Sequence, residues 1–294
     1  MNLTSVLILS DKSSGSSVLQ RELVKHSAVN IMRKPHHNEN ETLYWSKAAA
    51  VLDLPQPSMI DSSILPMRPS VASDALESLL RDNLTDPGPT PATTPELFAA
   101  WRQLTKTYGP VFLEKSPHHL HNRSVLELLL DAQRELTDID FRFIGLVRNP
   151  VDTLYSMWKR WKTIPEAREG EWCRTYENLL WLKEAAPDTT HVVRYEDLIA
   201  EPQTTTALLD FIGVSPEPQV GRELHGGSLQ SWRSDSSFGY QPGAEVRRIA
   251  SRFGYADTDL ENSRSPLWPI RRVVVNTARR ARTWLGLRWR NTQR

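Results

Sequence analysis

The sequence predicts an α/β fold, a three-layer α/β/α sandwich around a central parallel sheet. Three observations predict it. Short apolar runs alternate with segments of helical spacing from Leu3 to Ile212. Those runs end in polar loops holding lysine, arginine, serine and tyrosine, as ligand-binding strand ends do in parallel sheets. The 294 residues, 39% apolar and 24% charged, make one large α/β domain or two small ones and exclude wholesale disorder.

Leu3–Leu9 is an apolar, partly β-branched run halted by Ser10-Asp-Lys-Ser-Ser-Gly15, which reads as a buried strand running into a loop. Val18, Leu19, Leu23 and Val24 share one face of the helix expected next. A second helix is expected over Glu41–Leu54, stopped by Pro55 and Pro57. Residues 55–95, rich in Pro, Ser, Thr and Asp, read as an insertion or acceptor lid with one short helix around Val71–Leu84. Then come a helix (Pro95–Thr107), a strand (Val111–Glu114), a helix (Ser124–Glu135) and a strand (Phe141–Val147). Pro150 opens a helix over Val151–Trp161, and a Trp- and Leu-rich helix covers Glu171–Ala186. A strand (His191–Arg194) and a helix (Gln203–Ile212, with Gly213 after it) complete a domain spanning 1–263. The rest, 264–294, reads as a basic amphipathic helix, with Ile270, Val273, Val274, Thr277 and Leu285 among arginines over Pro269–Arg290.

The net charge of +1 is unevenly spread. Residues 264–294 carry nine arginines and no acid, which leaves −8 for residues 1–263. An acidic body does not suit nucleic acid, whereas the basic segment suits an anionic membrane surface or polysaccharide. A single cysteine, Cys173, excludes an internal disulfide framework and fits a reducing compartment. No run of 18 apolar residues occurs, and the first ten residues lack a basic signal-peptide start, so the expected location is cytoplasmic, with peripheral membrane contact through the basic segment.

Four loops carry chemistry. Asp11-Lys12-Ser13-Ser14-Gly15-Ser16-Ser17 lies between strand and helix, where backbone N–H groups, the helix dipole, a lysine and hydroxyls suit a phosphate; a serine-rich helix cap fits it equally well. It is not GxxxxGK[ST], so a magnesium–nucleoside triphosphate site is not indicated. Arg148 at a strand end and Ser156 eight residues on can converge on one phosphate, with Asp152 structural. The others are Arg194-Tyr195-Glu196-Asp197-Leu198 and Glu114-Lys115-Ser116-Pro117-His118-His119.

Together, in this order, they resemble the sulfotransferases that use 3′-phosphoadenosine 5′-phosphosulfate (PAPS), of the carbohydrate-type and bacterial kind, over residues 3 to about 215. The resemblance implies a P-loop-like fold and in-line sulfuryl transfer to an acceptor hydroxyl, without metal, leaving adenosine 3′,5′-bisphosphate. It implies Lys12, Ser13, Ser14, Gly15, Ser16 and Ser17 as the 5′-phosphosulfate loop, Arg148 and Ser156 as the 3′-phosphate pair, and Tyr195 as an adenine or phosphate contact. One departure stands out: the basic residue of the loop, Lys12, lies three rather than two before Gly15, with Ser13 in the usual place. Lys12 and Lys115 would neutralise the leaving oxygen, and Arg233 in Ser231-Trp-Arg-Ser234 would reach the 3′-phosphate. A base is needed for the acceptor proton. Glu41 is favoured, with His37, Glu39 and His118 as alternatives, against its reading as a first-turn glutamate facing a helix dipole.

Histidines 36, 37, 118, 119 and 121 complete no recognised zinc spacing, and Trp158, Trp161, Trp172 and Trp181 read as core. The rivals are a P-loop kinase-like phosphotransferase and an inactive nucleotide- or glycan-binding member of the fold.

Overall fold

β1 (Leu3–Ser10) is the middle strand of a five-stranded, all-parallel sheet. Val6, Leu7, Ile8 and Leu9 are all fully buried, because a central parallel strand is covered on both faces and cannot alternate apolar with polar. The computed structural model describes residues 3–60, 62, 64–224, 226, 227, 229–262, 267–270, 273 and 274. After α1 (Ser16–Leu23) comes β2 (Val29–Asn30), a two-residue edge strand absent from the sequence reading. α2 (Tyr44–Val51), α3 (Pro69–Asn83) and α4 (Thr94–Tyr108) lead to β3 (Val111–Lys115), then α5 (Arg123–Glu135) to β4 (Ile139–Val147). Beyond α6 (Pro150–Trp161) and α7 (Pro165–Ala185) lie β5 (Thr190–Arg194), α8 (Tyr195–Ala200), α9 (Pro202–Phe211), α10 (Ala244–Ser251) and α11 (Asp257–Leu260). The strand order is β2-β3-β1-β4-β5, so the expected P-loop-like α/β/α architecture is the observed one.

Contacts divide the chain into two compact units, Met1–Arg148 with Arg174–Gly226, and Asn149–Cys173 with Gly227–Arg294. The first holds the sheet. Because all strands run one way, the loops after β1, β3, β4 and β5 leave along one edge, outside the strands' carboxyl ends. Helices lock onto the sheet locally. Trp101 of α4 donates its indole N–H to Ser5 Oγ of β1 (3.1 Å), and Thr93 and Glu96 form the capping box that starts α4. Gly145 lets Leu179 of α7 press on β4, since a Cβ there would lie 2.4 Å from a Leu179 methyl. In the insertion, Met59, Leu65 and Met67 pack with Ala50 of α2 and Ala72 of α3.

Three sequence expectations change. α2 begins at Tyr44 rather than Glu41: a 3₁₀ turn occupies Asn38–Asn40, Glu41 is extended, and Leu43 takes a left-handed φ of 55° just before the helix. The polar turn expected after β5 is the helix α8. Trp161 is 40% exposed rather than core, and Trp181 is half-buried, with the Arg123 guanidinium 4.0 Å from its ring centre; Trp158 and Trp172 are buried as expected.

In the second unit, Asn149 caps α6 by accepting from the Val151 and Asp152 N–H groups, with Pro150 in the first turn. Asp152 accepts from the Gln230 N–H (2.8 Å), the structural role expected of it. Tyr155 donates to Asp235 (3.0 Å) and Tyr240 to Glu169 (2.8 Å). The basic helix expected over 269–290 lies outside the described residues except at 269, 270, 273 and 274.

Candidate active site

The loop after β1 is shaped by what surrounds it. Gly15 has φ +94°, and a Cβ there would sit 2.3 Å from the Tyr195 ring, so only glycine fits. Ser13 is also left-handed (φ 62°), and its carbonyl accepts from the Arg148 guanidinium (3.2 Å). That guanidinium lies 5.0 Å from the Tyr195 ring centre, and Arg148 as a whole is buried. Three residue sets named from separate motifs, Lys12–Ser17, Arg148 and Tyr195, therefore meet in the first unit. The α1 N-terminus points at this loop, and its first N–H groups have no acceptor within the helix.

Two buried anchors, neither found from sequence, hold the loop from beneath. Asp11, fully buried, accepts from the Lys12 N–H (2.7 Å) and faces His121 Nε2 (3.0 Å), whose Nδ1 meets Thr175 Oγ1 (2.6 Å). Ser14 Oγ pairs with the Tyr176 hydroxyl (3.0 Å). Burial, with the Asp11 charge adding to it, pushes the Tyr176 phenol well above its ordinary value, so it stays neutral and can donate.

Next to the loop stands a second group. Lys115, completely buried, gives its ammonium to Ser17 Oγ (3.2 Å), the Glu39 carbonyl (2.6 Å) and Glu41 Oε1 (3.2 Å). It thus ties the α1 N-terminus to the 39–41 segment. Glu41 Oε2 lies 3.1 Å from His37 Nδ1 and 3.4 Å from His118 Nδ1. Burial works against the Glu41 charge, but hydrogen bonds from His118 and His37 and the Lys115 charge outweigh it and hold the carboxyl well below the usual range. The His118 imidazole is lowered as well, to about 4, first by burial and then by the Lys12 and His121 charges, which together outweigh its Glu41 partner. At neutral pH Glu41 is therefore an anion and His118 a neutral imidazole. Since Glu41 is extended, the helix-dipole reading of it fails. Glu39 contributes its carbonyl, with its side chain on the exposed turn.

The segment carrying Glu41 is pinned to β3. Glu114 Oε1, at 1% exposure, accepts from Thr42 Oγ1 (2.7 Å) and Ser116 Oγ (2.5 Å), and Ser116 Oγ accepts from the Leu43 N–H (3.0 Å). Burial opposes the Glu114 charge, and His119, Ser116 and Thr42 overcome it, so its carboxyl also lies below its ordinary value. His119 in turn reaches Ser46 Oγ of α2 (2.8 Å).

Ser156 and Arg233 belong to the second unit. Ser156 is half-buried on α6. Arg233 donates to the Thr258 (3.0 Å) and Glu261 (3.2 Å) carbonyls and lies over the Trp232 ring (4.4 Å). Among the described residues, no group of three or more His, Cys, Asp or Glu side chains could hold a metal ion.

The first unit thus sets a loop at a helix N-terminus, a geometry that can receive an anion, beside a histidine held by a carboxylate, which can accept a proton. A sequence model described as the sulfotransferase family matches residues 5–218. The structure is similar to the sulfotransferase domain of the Synechococcus PCC 7002 olefin synthase, with 19% identity, 87% of this chain and 96% of that one covered, and a TM-score of 0.59. It is also similar to the sulfotransferase domain from the curacin biosynthetic pathway, with 20% identity, coverage of 87% and 99%, and a TM-score of 0.55. No curated protein matches the sequence.

Proposed function

Because the chain belongs to the sulfotransferase family, we propose that it transfers a sulfuryl group from PAPS to a hydroxyl of a carbohydrate or glycan-like acceptor. The observation that carries this reading is the tie from the phosphate-type loop to the base group, through Ser17, Lys115 and Glu41. The residues fit the donor: a left-handed glycine at a helix N-terminus admits an anion close to backbone N–H groups, and Arg148 stands at the loop's rim. PAPS, when bound, supplies the sulfuryl group and a bisphosphate leaving group. Lys12 and the α1 N-terminus stabilise the charge that builds up on that leaving group, and Lys115 fixes the distance between cradle and base. Arg148 holds the 3′-phosphate, with Ser156 added by its place in Arg-Asn-Pro-x-Asp-x-x-x-Ser and Tyr195 lying against the loop. To reach a phosphate, Arg233 would have to release the Thr258 and Glu261 carbonyls that its guanidinium meets.

In this reading the work of the base is divided. Glu41 has three neighbours on its carboxylate and a strongly lowered pKa, which makes it a poor proton acceptor and a good orienting anion. His37 gives Nδ1 to Glu41 and has a quarter-exposed side chain, which supports its Nε2 as the atom that takes the acceptor's proton as the new oxygen–sulfur bond forms. The carbohydrate preference rests on the likeness of Glu114-Lys-Ser-Pro117 to carbohydrate-type members.

Calorimetry tests the donor. Adenosine 3′,5′-bisphosphate should bind without metal and more tightly than ATP with magnesium, after which a glycan panel with PAPS identifies the acceptor. Preference for magnesium ATP would return the chain to the kinase-like reading. Bisphosphate binding with no acceptor-dependent turnover on any panel member, by wild type or His37→Ala, would favour an inactive binding member.

A further inference from the structure

Trp268 anchors the start of the basic segment to the second unit. It is 7% exposed, its indole N–H donates to Glu166 Oε1 (3.0 Å), and its ring stands edge-on to Trp158 (5.0 Å) and Phe238 (5.1 Å). Residues 268–270 and 273–274 are helical. Leu267, Ile270 and Val274 follow the i, i+3, i+7 spacing of one helix face and are 57%, 63% and 61% exposed. An aliphatic stripe this open to water needs a cover. In sequence it runs on into residues 275–294, where arginines alternate with Trp284, Leu285, Leu287 and Trp289, and 264–294 as a whole has nine arginines and no acid.

We propose that residues 267–294 dock on the surface of an anionic lipid bilayer, the aliphatic and tryptophan side chains entering the interface and the arginines pairing with lipid phosphates. Each half of the composition finds its complement there. A polysaccharide offers nothing to Leu267, Ile270 and Val274, and a second copy of the segment brings nine like charges against nine. The segment suits the bilayer surface rather than a span, since its arginines leave no apolar run of the length a span needs.

The test is co-sedimentation of the full chain with phosphatidylcholine vesicles, with and without phosphatidylglycerol. Binding should require the anionic lipid and weaken with salt. Arg279→Gln/Arg280→Gln/Arg282→Gln should lower partitioning about a hundredfold, from the usual contribution of each arginine near an anionic surface. Ile270→Ser/Val274→Ser should lower it about tenfold or more by removing two inserted aliphatic groups. Ile270 and Val274 are exposed, and an unchanged circular dichroism melt of each variant shows that the fold is intact. Three results would each overturn the proposal: equal partitioning onto neutral vesicles, capture by a soluble anionic polysaccharide with vesicles ignored, or self-association lost in the Ile270/Val274 variant without any vesicle binding.

Discussion

Replacing Gly15 by alanine acts on the point where loop, Tyr195 and Arg148 meet. The added Cβ would lie 2.3 Å from Tyr195 Cε2 and 2.5 Å from Cδ2. Carbon atoms pack best at about 3.5–4.0 Å, so the ring or the loop must withdraw by more than ~1 Å. The φ of +94° adds about 1–2 kcal/mol for a residue with a Cβ. Together the strain reaches roughly 3 kcal/mol, which is about a hundredfold in affinity for a ligand that binds only the native loop. The assay is calorimetric titration with adenosine 3′,5′-bisphosphate, with a thermal melt as control. In a Tyr195→Ala background the collision is gone and only the dihedral cost stays, so the further loss on adding Gly15→Ala should shrink to about tenfold. If Gly15→Ala binds the bisphosphate as wild type does, the loop is not the cradle.

Further predictions concern the base, its support and pH. His37→Ala and Glu41→Gln should each lower kcat by about a hundredfold to ten-thousandfold while leaving bisphosphate affinity intact; equal losses of turnover and binding would mean that they hold the loop rather than take the proton. Thr42→Val removes one of the hydroxyls on the buried Glu114 carboxylate and should destabilise the fold by about 1–3 kcal/mol, read as a lower denaturant midpoint. His118 has a folded pKa of about 4 against an ordinary 6.5, so the unfolded chain binds more protons between those values. Stability should therefore be complete above pH 6.5 and fall toward pH 4 by up to roughly 3 kcal/mol. His118→Gln should flatten that slope, and an unchanged slope would place the acid sensitivity elsewhere.

The strands and their loops were legible because buried parallel strands are continuous apolar runs and their ends carry recognisable side chains. β2 was not, since Val29 and Asn30 are too few to show any period. α8 has six residues and follows directly on β5, so its helical spacing is as faint. The sequence places Glu41 at the start of α2, whereas it lies on the extended segment before it, because the left-handed Leu43 that delays α2 has no sequence signature. The supports of the site were illegible for another reason. Thr42 meets Glu114 across 72 positions and Ser14 meets Tyr176 across 162, and a buried, partnered Asp11 or Glu114 looks in sequence like any strand-end acid.

The donor claim rests most directly on Arg148 and the 3′-phosphate. Calorimetry of adenosine 3′,5′-bisphosphate and of adenosine 5′-monophosphate on wild type and Arg148→Ala isolates that contact. Wild type should strongly prefer the bisphosphate, and Arg148→Ala should lose most of that preference while binding the monophosphate as before. Equal affinity of wild type for both nucleotides, or a preference that survives in Arg148→Ala, would contradict the donor claim.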